Sequence, residues 1–213
     1  MKSVFPAIDG LGASLAPRRF SAKRVLDITV ASFAILLFLP IFLLIPIAIL
    51  LDSPGPVLFR QRRAGQGGKL FGIYKFRSMR VMEDGAAIAQ AVKGDARVTR
   101  VGRFLRASSI DELPQLFNVL AGDMSLVGPR PHAIAHDEYY SVLIPNYRMR
   151  QLVKPGITGW AQVHGARGTT AELADMQARI DLDAWYVAHQ SVWLDILILA
   201  RTPLEVLSQR NAV

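Results

Sequence analysis

The hydrophobic pattern of the chain is dominated by one run. Ile28 to Leu51 is 24 residues without a charge, a length that suits a bilayer-crossing helix. Pro40 divides the run into 28–39 and 40–51. Proline lacks an amide hydrogen and crowds the carbonyl four residues back, here that of Leu36, so it predicts a kink. Each half rises about 18 Å as a helix, close to the ~15 Å half-thickness of the hydrocarbon core. Two half-helices that enter and return to the same face fit this pattern. A single spanning helix with a tolerated kink, to which Pro46 adds, fits it as well. Lys23 and Arg24 precede the run, and Arg60, Arg62 and Arg63 follow it. Positive charge on both flanks favours one side for both ends, which a single span cannot satisfy. The run is too long and too far from Met1 for a signal-peptide core and is expected to remain in the protein.

Ser53-Pro54-Gly55-Pro56 ends this segment. Residues 57–61 and 70–76 flank Gly65-Gln66-Gly67-Gly68 and predict a β-hairpin. Those glycines do not match a phosphate-loop pattern and read as turn residues. Residues 83–93 are Ala-rich and polar, a surface helix or loop. Residues 101–107 and 114–120 predict short helices, the second closed by Gly122. The Pro- and Gly-rich stretches 127–131 and 154–159 predict ordered turns. The last forty residues read as helical, with Trp185, Tyr186, Trp193 and the run 196–199 interrupted by Asp183, His189 and Asp195. This mixture predicts helices lying in a membrane interface. A buried core helix is the rival reading, and Asp195 suits neither. Residues 1–22 carry no sustained period and read as a flexible tail.

Composition sharpens the picture where charge is concerned. The 213-residue chain has a formal net charge of +8 and no cysteine. Disulfides, thiolate metal sites and a cysteine nucleophile are thereby excluded, and an anionic partner is implied. The basic residues are concentrated: twelve Lys/Arg lie between Ser53 and Ile110 against three acids. Directly after them come Asp111 and Glu112. Adjacent carboxylates beside such a field suit a divalent cation and a multiply anionic substrate, which points to phosphoryl chemistry.

The dyad also has a purely structural reading. Ser109-x-x-Glu112 has capping-box spacing, and an acid in a first helical turn is favoured by the dipole. Pro114 weakens that reading, because proline sits best at a first helical position and moves the expected helix start past the dyad. As chemistry, Asp is a nucleophile toward phosphorus in aspartyl-phosphate enzymes. Its attack on a diphosphate needs Mg²⁺ and guanidinium groups to offset repulsion. Glu112 is placed to supply a metal oxygen. Arg106, and Arg130 between two prolines, are candidate bidentate phosphate ligands, with Lys154 as a point charge. His132 and His136 have i, i+4 spacing but lack the glutamate of an HExxH site and read as surface or hydrogen-bonding residues.

Seven motifs in order resemble the bacterial sugar transferases, the monotopic polyprenyl-phosphate phosphoglycosyl transferases. They are Lys23-Arg-Val-Leu-Asp27, Pro54-Gly-Pro-Val-Leu-Phe59, Tyr74-Lys-Phe-Arg-Ser-Met79 and Asp111-Glu-Leu-Pro-Gln-Leu-Phe-Asn118, then Gly122-Asp-Met-Ser-Leu-Val-Gly-Pro-Arg-Pro131, Lys154-Pro-Gly-Ile-Thr-Gly-Trp-Ala-Gln162 and Asp183-Ala-Trp-Tyr186. The resemblance implies an α+β, mostly helical monotopic membrane protein. Its parts would be a tail (1–22), a re-entrant helix hairpin (23–52) marked by Lys23, Arg24, Asp27 and Pro40, and a cytoplasmic catalytic domain (53–213). That domain would carry the small β-hairpin and C-terminal interfacial helices. It implies a place on the cytoplasmic face of the bacterial inner membrane.

The implied reaction is attack of Asp111 on the β-phosphate of a UDP-sugar, release of UMP, and transfer of the phosphosugar to undecaprenyl phosphate. It would open the membrane stage of exopolysaccharide, capsule or glycan synthesis. Asp111 and Glu112 would ligate Mg²⁺, and Lys75, Arg77, Arg106, Arg130 and Lys154 would bind substrate. Membrane lipid is an expected partner, nucleic acid is not, and homo-oligomerisation is left open. Two departures stand out: Leu39-Pro40 replaces the Ser-Pro common at the helix break, and Lys154 stands where some relatives have Arg. The extra membrane-spanning module of larger relatives is absent, so the catalytic core alone is expected. A membrane-anchored basic protein that binds anionic lipid or nucleic acid is the rival from another class; it predicts steep salt dependence without a need for Mg²⁺. An inactive scaffold of the same fold is a third reading.

Overall fold

The computed structural model describes residues 21–80, 94–166, 168 and 172–207. Residues 1–20 of the predicted tail and the 83–93 segment lie outside the described residues, while Ser21 and Ala22, placed in that tail, instead cap and begin the first helix. Ser21 caps the first helix by accepting a hydrogen bond from the Arg24 amide. The chain then forms α1 (Ala22–Leu37) and α2 (Leu39–Asp52), bent by 60° at Phe38. Neither helix alone is long and apolar enough to cross a membrane. The bend falls one residue earlier than the proline position predicts. Pro40 then lies in the first turn of α2, where its missing donor costs little. Hydrogen bonds pass through Phe38, whose amide donates to the Ala34 carbonyl (2.9 Å) and whose carbonyl accepts from Phe42 (3.0 Å). No serine hydroxyl is required there.

The hairpin forms as predicted: β1 (Leu58–Ala64) pairs antiparallel with β2 (Leu70–Phe76), Leu58 opposite Phe76 and Ala64 opposite Leu70. Gly67 turns the chain at φ 65°, a conformation open to glycine without strain. The helices α3 (Arg100–Ser108) and α4 (Gln115–Ala121) follow, and Gly122 closes α4 at φ 90°. Then come β3 (Ser125–Val127), α5 (Ile134–Leu143), β4 (Gly156–Thr158), α6 (Trp160–Val163), α7 (Leu173–His189) and α8 (Val192–Leu207). The stretches at 127–131 and 154–159 are more than turns: β3 and β4 pair in parallel. Three-residue strands carry no readable period, and their pairing depends on contacts far apart in sequence. Gly128 permits the crossing, since a Cβ there would lie 2.3 Å from the Lys154 carbonyl oxygen.

The described residues are thus mostly helical with two small two-stranded sheets, an α+β arrangement. The main core gathers Ala31 of α1, Ile73 of β2, Leu116 and Val119 of α4, Leu126 and Val127 of β3, and Tyr186 and Ile198 of the last two helices. A second cluster joins Ile49 of α2 to Phe76 and Leu105. The kinked pair is therefore packed into the same cores as the hairpin and the short helices. Its bend faces outward, where Phe33, Leu36, Leu37, Leu39 and Leu43 are exposed, Leu36 to 70 %.

Polar anchors lock α1 in place. Lys23 donates to the Asp195 carboxylate (2.6 Å), to the Val127 carbonyl (2.9 Å) and to the Tyr186 hydroxyl (3.2 Å). Arg24 donates to the carbonyls of Val119 and Leu120, filling the acceptor end of α4. Asp27 is buried and accepts from the Ser125 hydroxyl and the Leu126 amide, each at 2.9 Å. These residues are fasteners between α1 and β3, α4 and α8. Asp195, which suited neither an interfacial nor a core helix in sequence, lies on a core helix face where Lys23 and the Tyr186 hydroxyl occupy its oxygens.

Candidate active site

Asp111 and Glu112 sit on a single 3₁₀ turn, Ile110–Glu112, between α3 and α4. The turn begins at Ser109, a left-handed residue (φ 58°) that ends α3 and caps nothing with its side chain. The capping-box reading is therefore corrected: Glu112 is not spent on the Ser109 backbone. Its carboxylate accepts from Lys75 Nζ (2.8 Å) and, in a fork, from both terminal nitrogens of Arg130. Paired N–H donors in this geometry form the strong kind of charge-assisted contact.

Several elements converge to build this arrangement. Lys75 stands on β2, which Asn118 ties to α4 by accepting from the Tyr74 amide (3.0 Å) and donating to the Gly72 carbonyl (2.8 Å). Thr99 caps α3 by accepting from the Gly102 amide (2.9 Å). Asp52 at the end of α2 accepts from the Val101 amide (3.0 Å). The start of α3 is thereby held to α2, and its last turn presents Arg106 beside the dyad, with a guanidinium nitrogen 3.9 Å from Met79 Sδ. Arg130 arrives on the loop that leaves β3.

Asp111 differs from its neighbour. It is 7 % exposed, and among the described residues no group donates a hydrogen bond to its carboxylate. Burial pushes its pKa up to about 6, against the pull of Lys75, with the Glu112 charge adding to the rise and Arg106 and Arg130 opposing it. Burial also works against the Glu112 carboxylate, but Arg130 and Lys75 overcome it and hold that group well below the usual range. Adjacent acids with divergent environments are the arrangement in which one stays a permanent anion and the other becomes the reagent.

The other predicted site residues are distributed unevenly. Lys75, Arg106 and Arg130 gather around the dyad. Arg77 does not: it is 3 % exposed and donates to the carbonyls of Pro54, Ile49 and Ser53 and to the Ser53 hydroxyl. It caps the C-terminal end of α2, so its assignment to substrate is corrected. β2 ends at Phe76, and the chain beyond it turns Arg77 inward. Lys154 lies at the opposite end of α4 from the dyad; a Cβ on Gly122 would stand 3.6 Å from its Nζ and 3.7 Å from Arg24 Nη2. Burial lowers the Lys154 pKa, and the Arg24 charge adds to this.

His132 is buried, and its Nδ1 accepts from Arg150; no group of three or more His, Asp or Glu side chains is placed to hold a metal among the described residues. Reading the sequence missed Asn118 as a builder of the site, since its role depends on β2 and α4 meeting in space.

The geometry is matched by kinship. A sequence model described as bacterial sugar transferase matches residues 18–209. A UDP-glucose:undecaprenyl-phosphate glucose-1-phosphate transferase of Caulobacter vibrioides is 56 % identical over 190 residues, covering 89 % of this chain and 71 % of the relative. A protein of the same name in Escherichia coli K12 is 53 % identical over 180 residues, 84 % of this chain but only 39 % of the relative. The exopolysaccharide production protein PSS of Rhizobium leguminosarum is 46 % identical over 191 residues and is matched over 96 % of its length. With nine-tenths of its length described by one sequence pattern, the chain belongs to the bacterial sugar transferase family.

Proposed function

We propose that the protein transfers a sugar 1-phosphate from a UDP-sugar to undecaprenyl phosphate, with Asp111 as the nucleophile. The observation that carries this reading is a buried carboxylate with no hydrogen-bond partner among the described residues, beside three cationic side chains. An Asp111 oxygen attacks the β-phosphorus, the bond between that phosphorus and the bridging oxygen breaks, and UMP leaves. The product is an aspartyl phosphosugar. A phosphate oxygen of the polyprenyl phosphate then attacks the same phosphorus, the Asp111 C–O–P linkage opens at the phosphorus, and the lipid diphosphosugar departs. Arg130 and Lys75 fix the charge of Glu112 and face the phosphates, and Arg106 supports the charge building on them. UDP-glucose is the proposed donor, supported by the names of the Caulobacter and Escherichia relatives. A relative of Aeromonas hydrophila named for N-acetylgalactosamine, 48 % identical, sets the competing donor for the test.

The residues suit one Mg²⁺. The Asp111 oxygens accept no hydrogen bond among the described residues, and Glu112 Oε2, which accepts from Arg130 Nη1 alone, keeps a lone pair, whereas Oε1 is filled by Lys75 and Arg130. Two carboxylates with substrate phosphates and water completing the shell is the usual way this ion is held. When bound, it would neutralise charge on the diphosphate.

The bend at Phe38 with its exposed apolar tip supports a re-entrant hairpin that dips into the inner leaflet and returns. Both of its ends are tied to the same body, by Lys23, Arg24 and Asp27 at one end and by Asp52 and Arg77 at the other. The exposed Trp193 and Leu204 of α8 support contact with the interface. The test is mass spectrometry of the protein and its lipid products across UDP-glucose, UDP-galactose and UDP-N-acetylgalactosamine. A phosphohexose adduct on Asp111 and a lipid-linked diphosphoglucose are expected. Product without any adduct would remove the nucleophile.

A further inference from the structure

Arg130 lies between Pro129 and Pro131, neither of which has an amide hydrogen. Two carbonyls of this segment are visibly held: Pro129 O accepts from the Gly156 amide (3.0 Å), and Arg130 O accepts from Arg150 Nη2. The second contact joins the active-site loop to a buried charge cluster that the reaction does not touch. Arg150 is 6 % exposed. Its Nη1 donates to His132 Nδ1 and to the Tyr147 hydroxyl (3.3 Å), and lies 4.0 Å from Asp137. Its Nη2 lies 3.2 Å from Asp183 on α7. Tyr147 in turn donates to Asp137 (2.7 Å). Since guanidinium only donates, the neutral His132 ring accepts at Nδ1.

An ion pair this deep is a poor way to gain stability. Desolvating both charges costs about what their attraction returns, and well-packed apolar residues often serve as well. What apolar residues cannot do is hold a carbonyl. We infer that Arg150, its charge countered by Asp183, is a positioning residue for Arg130: it fixes the backbone from which the Arg130 fork reaches Glu112. The inference rests on the transferase reading and adds Arg150 and Asp183 to its machinery. Lysine at 150 keeps the charge but cannot span the Arg130 carbonyl, His132 and Asp183 together.

The test is a double-mutant cycle on the full chain in detergent, reading UMP release with UDP-glucose and undecaprenyl phosphate. Wild-type turnover is measured first, and its absence would strike the transferase reading before any variant is compared. Arg150→Lys is expected to lower kcat about 10- to 100-fold with KM for the donor within about threefold, the pattern of lost alignment. In an Arg130→Lys background the same change is expected to cost less than about threefold, because the two act as one unit. Full multiplication of the two losses, or an Arg150→Lys enzyme as fast as wild type, overturns the proposal. Asp183→Asn, nearly isosteric, repeats the cycle if Arg150→Lys does not fold. Failure of both to fold would make the pair a structural fastener only, which also overturns it.

Discussion

Two buried aspartates show how this protein sorts structure from chemistry. Asp195 on α8 is fully buried, and its oxygens take Lys23 at 2.6 Å and the Tyr186 hydroxyl at 2.7 Å. Asp111 is nearly as buried and stands near as much positive charge, yet among the described residues nothing hydrogen-bonds to it. Burial raises the pKa of both. The difference lies in whether the lone pairs are occupied. A buried carboxylate with its partners in place is a fastener; one left open beside cations is costly to fold and available to a substrate.

The comparison can be broken by exchanging the fates of the two acids. Asp111→Asn is expected to lower UMP release by at least about a thousandfold, since an amide is no nucleophile toward phosphorus. The same substitution is expected to leave the unfolding temperature unchanged or raised, as measured by thermal denaturation in detergent. A variant that is both active and less stable would place Asp111 with the fasteners. The second largest effect falls on the other acid. Lys23→Met leaves Asp195 buried without its cation and is expected to cost about 3 kcal/mol of stability. Equilibrium unfolding measures this, and a loss below about 0.5 kcal/mol would show that the Tyr186 hydroxyl suffices.

The pH dependence sharpens the contrast. With its pKa raised to about 6, Asp111 is protonated and inert below that value. The rate of UMP release is expected to fall about tenfold per pH unit on the acid side and to level off above it. Stability should move the other way. The native state holds this proton more tightly than the unfolded chain, so the contribution is complete below the unfolded value of about 3.8 and is lost as pH rises through about 6. The stability advantage of Asp111→Asn over wild type is therefore expected to grow between about pH 4 and pH 7. A flat difference would mean that the two states bind this proton alike. The smallest effect concerns the tip. Leu36→Ser with Leu37→Ser removes exposed apolar surface at the bend and buries no polar group, so the melting temperature in detergent should hold while flotation with anionic vesicles weakens. Unchanged flotation would count against insertion of the bend.

The elements easiest to read in the chain were those with local causes. The apolar run with its proline, the glycine-turned hairpin and the helices around residues 100–121 follow from period, cap and turn chemistry over a few residues. The dyad was legible because adjacent acids after a basic stretch are conspicuous. Other features were hidden by distance along the chain. Lys23 and Asp195 are 172 positions apart, and no pattern announces that they meet. Arg77 stands in the same motif as Lys75, but it lies one residue past the end of β2 and turns toward the α2 carbonyls. Lys154 carried the right charge and lies at the wrong end of α4 for the dyad.

What the amino-acid order determined alone is therefore the inventory: a charge-free bent helix pair, a short hairpin, a carboxylate pair and a field of cations. Folding decided which cations serve the dyad and which serve helix ends or core carboxylates. The reason is physical. A charge in the chain is the same wherever it stands, but its role depends on which lone pairs and N–H groups remain unfilled around it, and that depends on long-range packing.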